Sequence, residues 1–223
     1  MNDSFFRRTL KALSHKSRKK KFDLFLSLFN PRPDDKVLDI GASGEVFLLY
    51  TFETIYPFPE QIIAGGNVLR EVLSARRYYP KAQYVTFDGC SLPFPDKSFD
   101  IVFSNAVIEH IVGIGRQEKF AQEVMRTGKG WFITTPNFWF PFESHYHLPL
   151  IQFMPRELQR GYNRLLGTHI PRGQVQELGL LSARELRRLF PTSEILKVRV
   201  TFWPETLVAY HISETRATGR TSN

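Results

Sequence analysis

The chain predicts an α/β fold: a doubly wound, mainly parallel sheet of seven strands, with helices on both faces and an antiparallel last strand. Three observations lead there. Short aliphatic runs alternate with segments of helical period between residues 36 and 136, the order that βαβ units require. The first run, Val37-Leu38-Asp39-Ile40, passes directly into the small-residue turn Gly41-Ala42-Ser43-Gly44. The last two runs, Glu194 to Thr201 and Thr206 to Ile212, are joined by the link Phe202 to Glu205, too short for a parallel crossover, so they pair antiparallel.

The elements follow in order. Residues 1–30 read as a basic helical N-terminal extension, with Phe22, Phe25, Leu26 and Phe29 recurring at helical spacing on its buried side. Pro31 to Asp35 turns the chain into a first strand, Lys36 to Ile40. A helix from Glu45 to Tyr56 is stopped by Pro57 to Glu60, and Gln61 to Ala64 forms the second strand. Val68, Leu69, Val72 and Leu73 mark the next helix, Ala82 to Phe87 a third strand ending at Asp88, and Asp100 to Ser104 a fourth. Arg116 to Arg126 is amphipathic and is closed by Gly128 and Gly130 before a fifth strand, Trp131 to Thr135. Residues 136–180 are aromatic and proline-rich, an excursion long enough to suggest a functional insertion. Ser182 and Glu185 form a capping box for a helix through Phe190. Residues 31–214 then make one domain, and the 215–223 tail is expected to be disordered.

With 223 residues, 42% of them apolar and 23% charged, the chain can bury one sizeable core. The single cysteine, Cys90, excludes an internal disulfide framework and a cysteine zinc cluster, which suits a reducing, cytoplasmic setting. No apolar run approaches the ~20 residues of a membrane-spanning helix. The net charge of +8 is concentrated in residues 1–30, which hold eight Lys or Arg and two Asp. Lys16, Arg18, Lys19, Lys20 and Lys21 could meet nucleic-acid phosphates or an anionic membrane. The aromatic stripe that follows favours the plainer reading of a solvated helix face.

The glycine turn points to a ligand. Asp39 places a carboxylate at the carboxyl edge of the sheet, and Gly41 and Gly44 let backbone N–H groups approach without Cβ obstruction. A nicotinamide dinucleotide turn would need glycine at its third and sixth positions, which are Ser43 and Val46. A Walker-type phosphate loop is also missing, since Gly128-Lys129-Gly130 precedes a strand instead of following one. A non-phosphate ligand fits better.

Four ordered features then combine: the glycine turn, Asp88 ending the third strand, the run Leu92-Pro93-Phe94-Pro95-Asp96-Lys97-Ser98-Phe99-Asp100, and Ala106-Val107-Ile108-Glu109-His110 after the fourth strand. From Lys36 to about Asn137 the chain resembles the class I S-adenosylmethionine-dependent methyltransferases, of the type-11-like branch, with their Rossmann-like sheet. The stretch from Thr135-Pro136-Asn137 to Pro149 is similar to a recurrent feature of one branch of these enzymes. The resemblance implies S-adenosylmethionine as cofactor. It assigns Asp39 and the backbone of Gly41, Ala42, Ser43 and Gly44 to the methionine portion, and Asp88, with Gly89 and Cys90 nearby, to the adenine. Backbone groups around Ser104 and Asn105 complete that pocket. Where the family commonly carries an acid for the ribose hydroxyls, this chain has Gly65-Gly66-Asn67. An amide there loses about 1 kcal/mol of charge-assisted bonding.

Methyl transfer from a sulfonium is an in-line displacement, so the protein chiefly aligns donor and acceptor and manages a proton. His110, just past the fourth strand, is the first acceptor-side candidate. His145 and His147, with Glu143 and Asn137, form a second cluster in the excursion. The His-x-His pair and Glu143 lack an identifiable further ligand, so no metal is expected there. Aromatic residues from Trp131 to Tyr146 could line an apolar pocket or face the sulfonium. The expected acceptor is a small molecule or lipid-like compound. A binding protein that retains the fold without activity, and a nucleic acid methyltransferase using the basic leader, are the alternatives.

Overall fold

The structure, a computed structural model, describes residues 3–42, 51–143, 145–146, 148–166, 171, 174–199, 201–213 and 216. Helix α1 (Asp3–Phe29) leads into β1 (Val37–Ile40). After α2 (Phe52–Ile55) come β2 (Ile62–Gly66), α3 (Leu69–Tyr78), β3 (Gln83–Thr86) and β4 (Phe99–Asn105). A single 3₁₀ turn, Ile108–His110, precedes α4 (Arg116–Thr127) and β5 (Gly128–Pro136). The excursion contributes β6 (Phe142–Glu143), β7 (Leu148–Pro149) and α5 (Arg156–Leu166). Helix α6 (Ala183–Leu189) and strands β8 (Glu194–Arg199) and β9 (Pro204–His211) end the fold.

The seven-stranded sheet runs β3-β2-β1-β4-β5-β9-β8. Strand β1 pairs in parallel with both β2 and β4, placing Asp39 opposite Ala64 and Phe103. Strand β9 is antiparallel to β5 on one side and β8 on the other, as the short link requires. The strand order reverses between β1 and β4, where α/β sheets open a ligand crevice at their carboxyl ends.

Side-chain alternation sorts the core onto two faces. Leu38, Ile40, Val102 and Ile133 pack with Phe120 and Val124 of α4 and Leu186 of α6. Val37, Ile101, Phe103 and Phe132 face the other way, against Phe22, Phe25 and Phe29 of α1 and Phe52 of α2. The rings interlock there: Phe52 stacks on Phe103 at 3.9 Å between centroids, and Phe25 meets Phe132 edge to face at 5.4 Å. The C-terminal half of α1 is therefore part of the core and not an appendage. Its basic face is also partly consumed, since Lys20 donates to the Arg199 carbonyl and Lys19 pairs with Asp23.

Three expectations change. Gly128 does cap α4, its N–H donating to the Val124 carbonyl, but it also begins β5, which pairs from Phe99↔Gly128 onward and contains Gly130; a Cβ on Gly128 would come within 2.7 Å of Val102, and one on Gly130 within 2.8 Å of the His211 carbonyl. The excursion holds a helix, α5, and a small core of its own, Tyr146, Leu148 and Ile151. In α5 the repeated arginines and Gly161 obscure the period, and buried Asn163 anchors it by donating to the Pro171 and Gln174 carbonyls. The tail expected to be disordered contains Arg216, which is buried and pairs with Asp35 and the Phe29 carbonyl. An ion pair there ties the chain end to the turn before β1. The other residues of 214–223, and 45–50 of the expected Glu45–Tyr56 helix, lie outside the described residues.

The loop Leu92–Asp100 is held as scaffold. Glu123 accepts from the Leu92 N–H at 2.6 Å, and Arg126 bonds the Leu92 and Phe94 carbonyls and Asp96. Lys97, at φ 52°, spans to the Met125 and Gly128 carbonyls. Phe25→Ala should lower unfolding stability by about 3–5 kcal/mol through the cavity it leaves, read from urea denaturation; a loss under 1 kcal/mol would mean α1 is not a core element.

Candidate functional site

The carboxyl ends of β1, β2, β4 and β5 carry the polar residues that the core otherwise excludes. Asp39 is buried near the end of β1, 5% exposed, on the face covered by α2. Its partner is Glu53 of α2, which sequence reasoning did not single out. Burial, then the negative charge of Glu53, raises the Asp39 carboxyl well above the ordinary range. Burial also raises Glu53, against its own backbone N–H and the hydroxyls of Thr51 and Tyr84. Two buried carboxyls facing one another repel when both ionise, so the pair retains a proton or welcomes a cation.

The glycine turn does less than expected for a ligand. The N–H groups of Gly41 and Ala42 both donate to the Gly65 carbonyl, at 2.7 and 3.2 Å, and are not available as ligand donors. Glycine is needed at 41 for another reason: φ is +101°, and a Cβ would lie 2.2 Å from a Val107 methyl. Ser43 and Gly44 lie outside the described residues. Asn67 sits exposed between β2 and α3.

Asp88 follows β3 on the same edge, with β2 between β3 and β1. Its carboxylate accepts from the Cys90 N–H at 2.9 Å and pairs with Arg116 at 3.0 Å. Those contacts, the Cys90 N–H first, hold it below the usual carboxylate range. It is half-exposed and ionised. Gly89 packs against Phe120, where a Cβ would reach 3.1 Å. The Cys90 thiol donates to the Arg116 carbonyl and is raised chiefly by burial. Asn105 accepts from the Thr134 hydroxyl at 2.8 Å, and Ser104 donates to the Ile40 carbonyl at 2.9 Å. Ala106, at φ 58°, turns the chain out of β4, and the 3₁₀ turn follows.

That turn brings His110 to His145, their rings edge to face at 4.9 Å. His145 Nδ1 lies 2.7 Å from Glu143 Oε1, and Glu143 Oε2 accepts the N–H groups of His145 and Tyr146. Burial opposes protonation of His145, but the hydrogen bond and charge of Glu143 outweigh it and raise the imidazole. His110 is lowered by burial and by the charge of His145. The two candidate clusters are therefore one. His147 lies outside the described residues, and Asn137 is committed elsewhere: it donates to the Pro204 carbonyl and accepts from the Trp139 N–H.

Glu109, next to His110 in the 3₁₀ turn, sits at the floor of this cluster. It is fully buried, accepts from the Thr135 hydroxyl at 3.1 Å, and is raised by burial to about 7. The charges of Glu109 and Glu205 also act on Lys21 of α1, whose ammonium burial lowers to about 8 although part of its side chain remains at the surface. No local sequence signal separated Lys21 from its neighbours. Behind the β6–β7 hairpin lies a cavity of about 200 Å3 lined by Phe138, Glu143, Tyr146, Gln152, Arg156 and Gln176 among others.

Residues 38–133 match the family model described as a methyltransferase domain. Over that stretch, which is less than half of its length, the chain is similar to methyltransferase domains. Over 109 residues it is 29% identical to a probable S-adenosylmethionine-dependent methyltransferase of Mycobacterium tuberculosis, covering 49% of this chain and 39% of that one. The chain spans less than half the length of the curated relatives it matches. Its fold is similar to that of the PH0226 protein of Pyrococcus horikoshii, with a TM-score of 0.58 and 16% identity over 96% of this chain and 93% of that one. A S-adenosylmethionine-dependent methyltransferase of Methanosarcina mazei matches with a TM-score of 0.56 and 16% identity, over 85% and 98%. No described helix is long and apolar enough to cross a membrane.

The paired acids give a test on the protein without ligand. A carboxyl raised in the folded state stabilises it fully below its ordinary pKa near 4, and that contribution fades as pH rises through the folded value. Glu53→Gln should therefore gain stability over the wild type by about 1 kcal/mol or more at pH 8, with the difference vanishing toward pH 4 in thermal unfolding. A pH-independent difference would show that burial does not raise the Glu53 carboxyl.

Proposed function

We propose that the protein transfers the methyl group of S-adenosylmethionine to an oxygen, nitrogen or carbon of a small-molecule or lipid-like acceptor. The observation that carries this reading is the convergence of His110, His145 and Glu143 beside the edge where the cofactor class binds, next to a cavity walled by the excursion. In this reading the Asp39 and Glu53 pair receives the cofactor's ammonium, whose positive charge relieves their repulsion. Asp88 accepts from the adenine amino group, and Asn67 serves the ribose hydroxyls. His145, oriented by Glu143, and His110 face the acceptor, and the folded excursion excludes water from the transfer. The acceptor reaches the site in a cytoplasmic setting.

The basic leader supports this reading over nucleic acid binding, because Lys20 and Lys21 are engaged within the fold and not presented together on a free face.

Calorimetric titration with S-adenosylmethionine and S-adenosylhomocysteine tests the cofactor assignment. Asp88→Ala should weaken binding about tenfold, the worth of a charge-assisted hydrogen bond; wild-type affinity would remove Asp88 from the site, and no binding by the unmutated chain at millimolar ligand would overturn the function. Metabolite extracts incubated with isotopically labelled methyl donor identify the acceptor. With that acceptor, His145→Ala should lower turnover by about 10²-fold or more while cofactor affinity stays within twofold. Equal losses in both would place His145 in cofactor binding.

A further inference from the structure

The pocket between the 3₁₀ turn after β4 and the β6–β7 hairpin holds more than proton transfer requires. One ligand atom from each of Glu109, His110 and His145 lies within 4.8 Å of the other two. Glu109 is fully buried, yet its Oε1 has no hydrogen-bond partner among the described residues. A buried carboxylate oxygen without a partner is costly, and its retention calls for an occupant. His145 is set up to supply one nitrogen: Nδ1 is held by Glu143 at 2.7 Å, leaving Nε2 as the outward donor. A carboxylate on the far nitrogen is the support that metal-ligating histidines carry. His110 has Gln176 beside Nδ1 at 3.4 Å, and an amide that turns its oxygen toward that nitrogen leaves Nε2 free as well.

We propose that Glu109, His110 and His145 bind a divalent first-row transition-metal ion, and that a hydroxyl oxygen of the methyl acceptor completes its coordination. Two imidazoles and one carboxylate suit zinc, manganese or iron, whereas magnesium and calcium ask for oxygen ligands. Three protein donors leave positions open for substrate. Donors around an ion at 2.0–2.2 Å lie roughly 3–3.5 Å apart, so the exposed His110 ring turns inward on binding. The ion lowers the pKa of the hydroxyl it holds. The hydroxyl proton passes to water, the oxygen lone pair forms the O–CH₃ bond, and the S–CH₃ bond breaks with its electron pair returning to sulfur as the neutral thioether. This second half rests on the methyltransferase reading above and narrows the acceptor to a hydroxyl compound; the ion site does not rest on it.

The test uses the full chain after chelation and dialysis. Titration with Zn²⁺ and Mn²⁺, with Mg²⁺ as the oxygen-seeking control, should show one ion per chain for at least one of the first two and a raised unfolding temperature. His145→Ala and Glu109→Gln should each weaken that binding about tenfold or more, with circular dichroism and S-adenosylmethionine affinity unchanged. Should Glu109→Gln fail to fold, His145→Ala carries the measurement. No stoichiometric binding of Zn²⁺ or Mn²⁺, preference for Mg²⁺, or full binding in His145→Ala overturns the ion site. Methyl transfer should fall at least tenfold on chelation and return with the ion. Binding without any effect of chelation on transfer overturns acceptor activation, while binding without methyl transfer under any condition leaves the ion site standing and defeats the methyltransferase reading.

Discussion

Parallel pairing of β1 with β2 on one side and β4 on the other sends every connection out of one edge of the sheet, and the reversal of strand order there prevents the flanking helices from closing over it. Polar side chains that a doubly covered sheet cannot tolerate in its middle gather on that edge. Asp39, Glu53 and Glu109 are buried there because both faces are capped, by α4 and α6 on one side and by the phenylalanines of α1 and α2 on the other. The packing of α1 is thus part of the site's electrostatics: it dries the face onto which Asp39 projects and brings Lys21 toward Glu109.

Two classes of charge follow from this. Asp88, Asp100 and Glu123 have carboxyls held below their ordinary range by cations and backbone N–H groups. Glu123 and Asp100 are braces, and with Arg126 and Lys129 they keep the Leu92–Asp100 loop and the start of β4 in place. Asp39, Glu53 and Glu109 are instead raised by burial without a matching cation close enough to offset it. Groups left in that condition cost stability in the unliganded protein, and they persist where a ligand repays the cost. Both concentrations of raised carboxyls lie at the edge, one where Asp39 meets Glu53 and one beside the histidines.

Much of the architecture was legible because it rests on local periodicity. The alternation of runs and the Ser182–Glu185 capping box act within a few residues and appear as read, and the link before the last strand is short as expected, though Pro204 and Glu205 of the expected Phe202–Glu205 link already belong to β9. The boundaries of β5 and the existence of α5 were not legible. Gly128 both caps α4 and, like Gly130, is crowded by neighbouring strands far away in sequence, and α5 is anchored by Asn163 while its leucines are exposed, so its pattern carries no core signal.

The site divides in the same way. Sequence alone determined which residues end the parallel strands: Asp39, Asp88, and the Glu109-His110 pair after β4, because strand length and side-chain alternation fix where a chain reaches the sheet edge. Only the tertiary structure decided which of them share an environment. It placed Glu53 against Asp39, gave the Gly41 and Ala42 N–H groups to Gly65, and joined His110 to a histidine 35 positions later in the chain. Those outcomes depend on desolvation and on contacts between remote segments, and burial is a property of the assembled fold that no single stretch of residues contains.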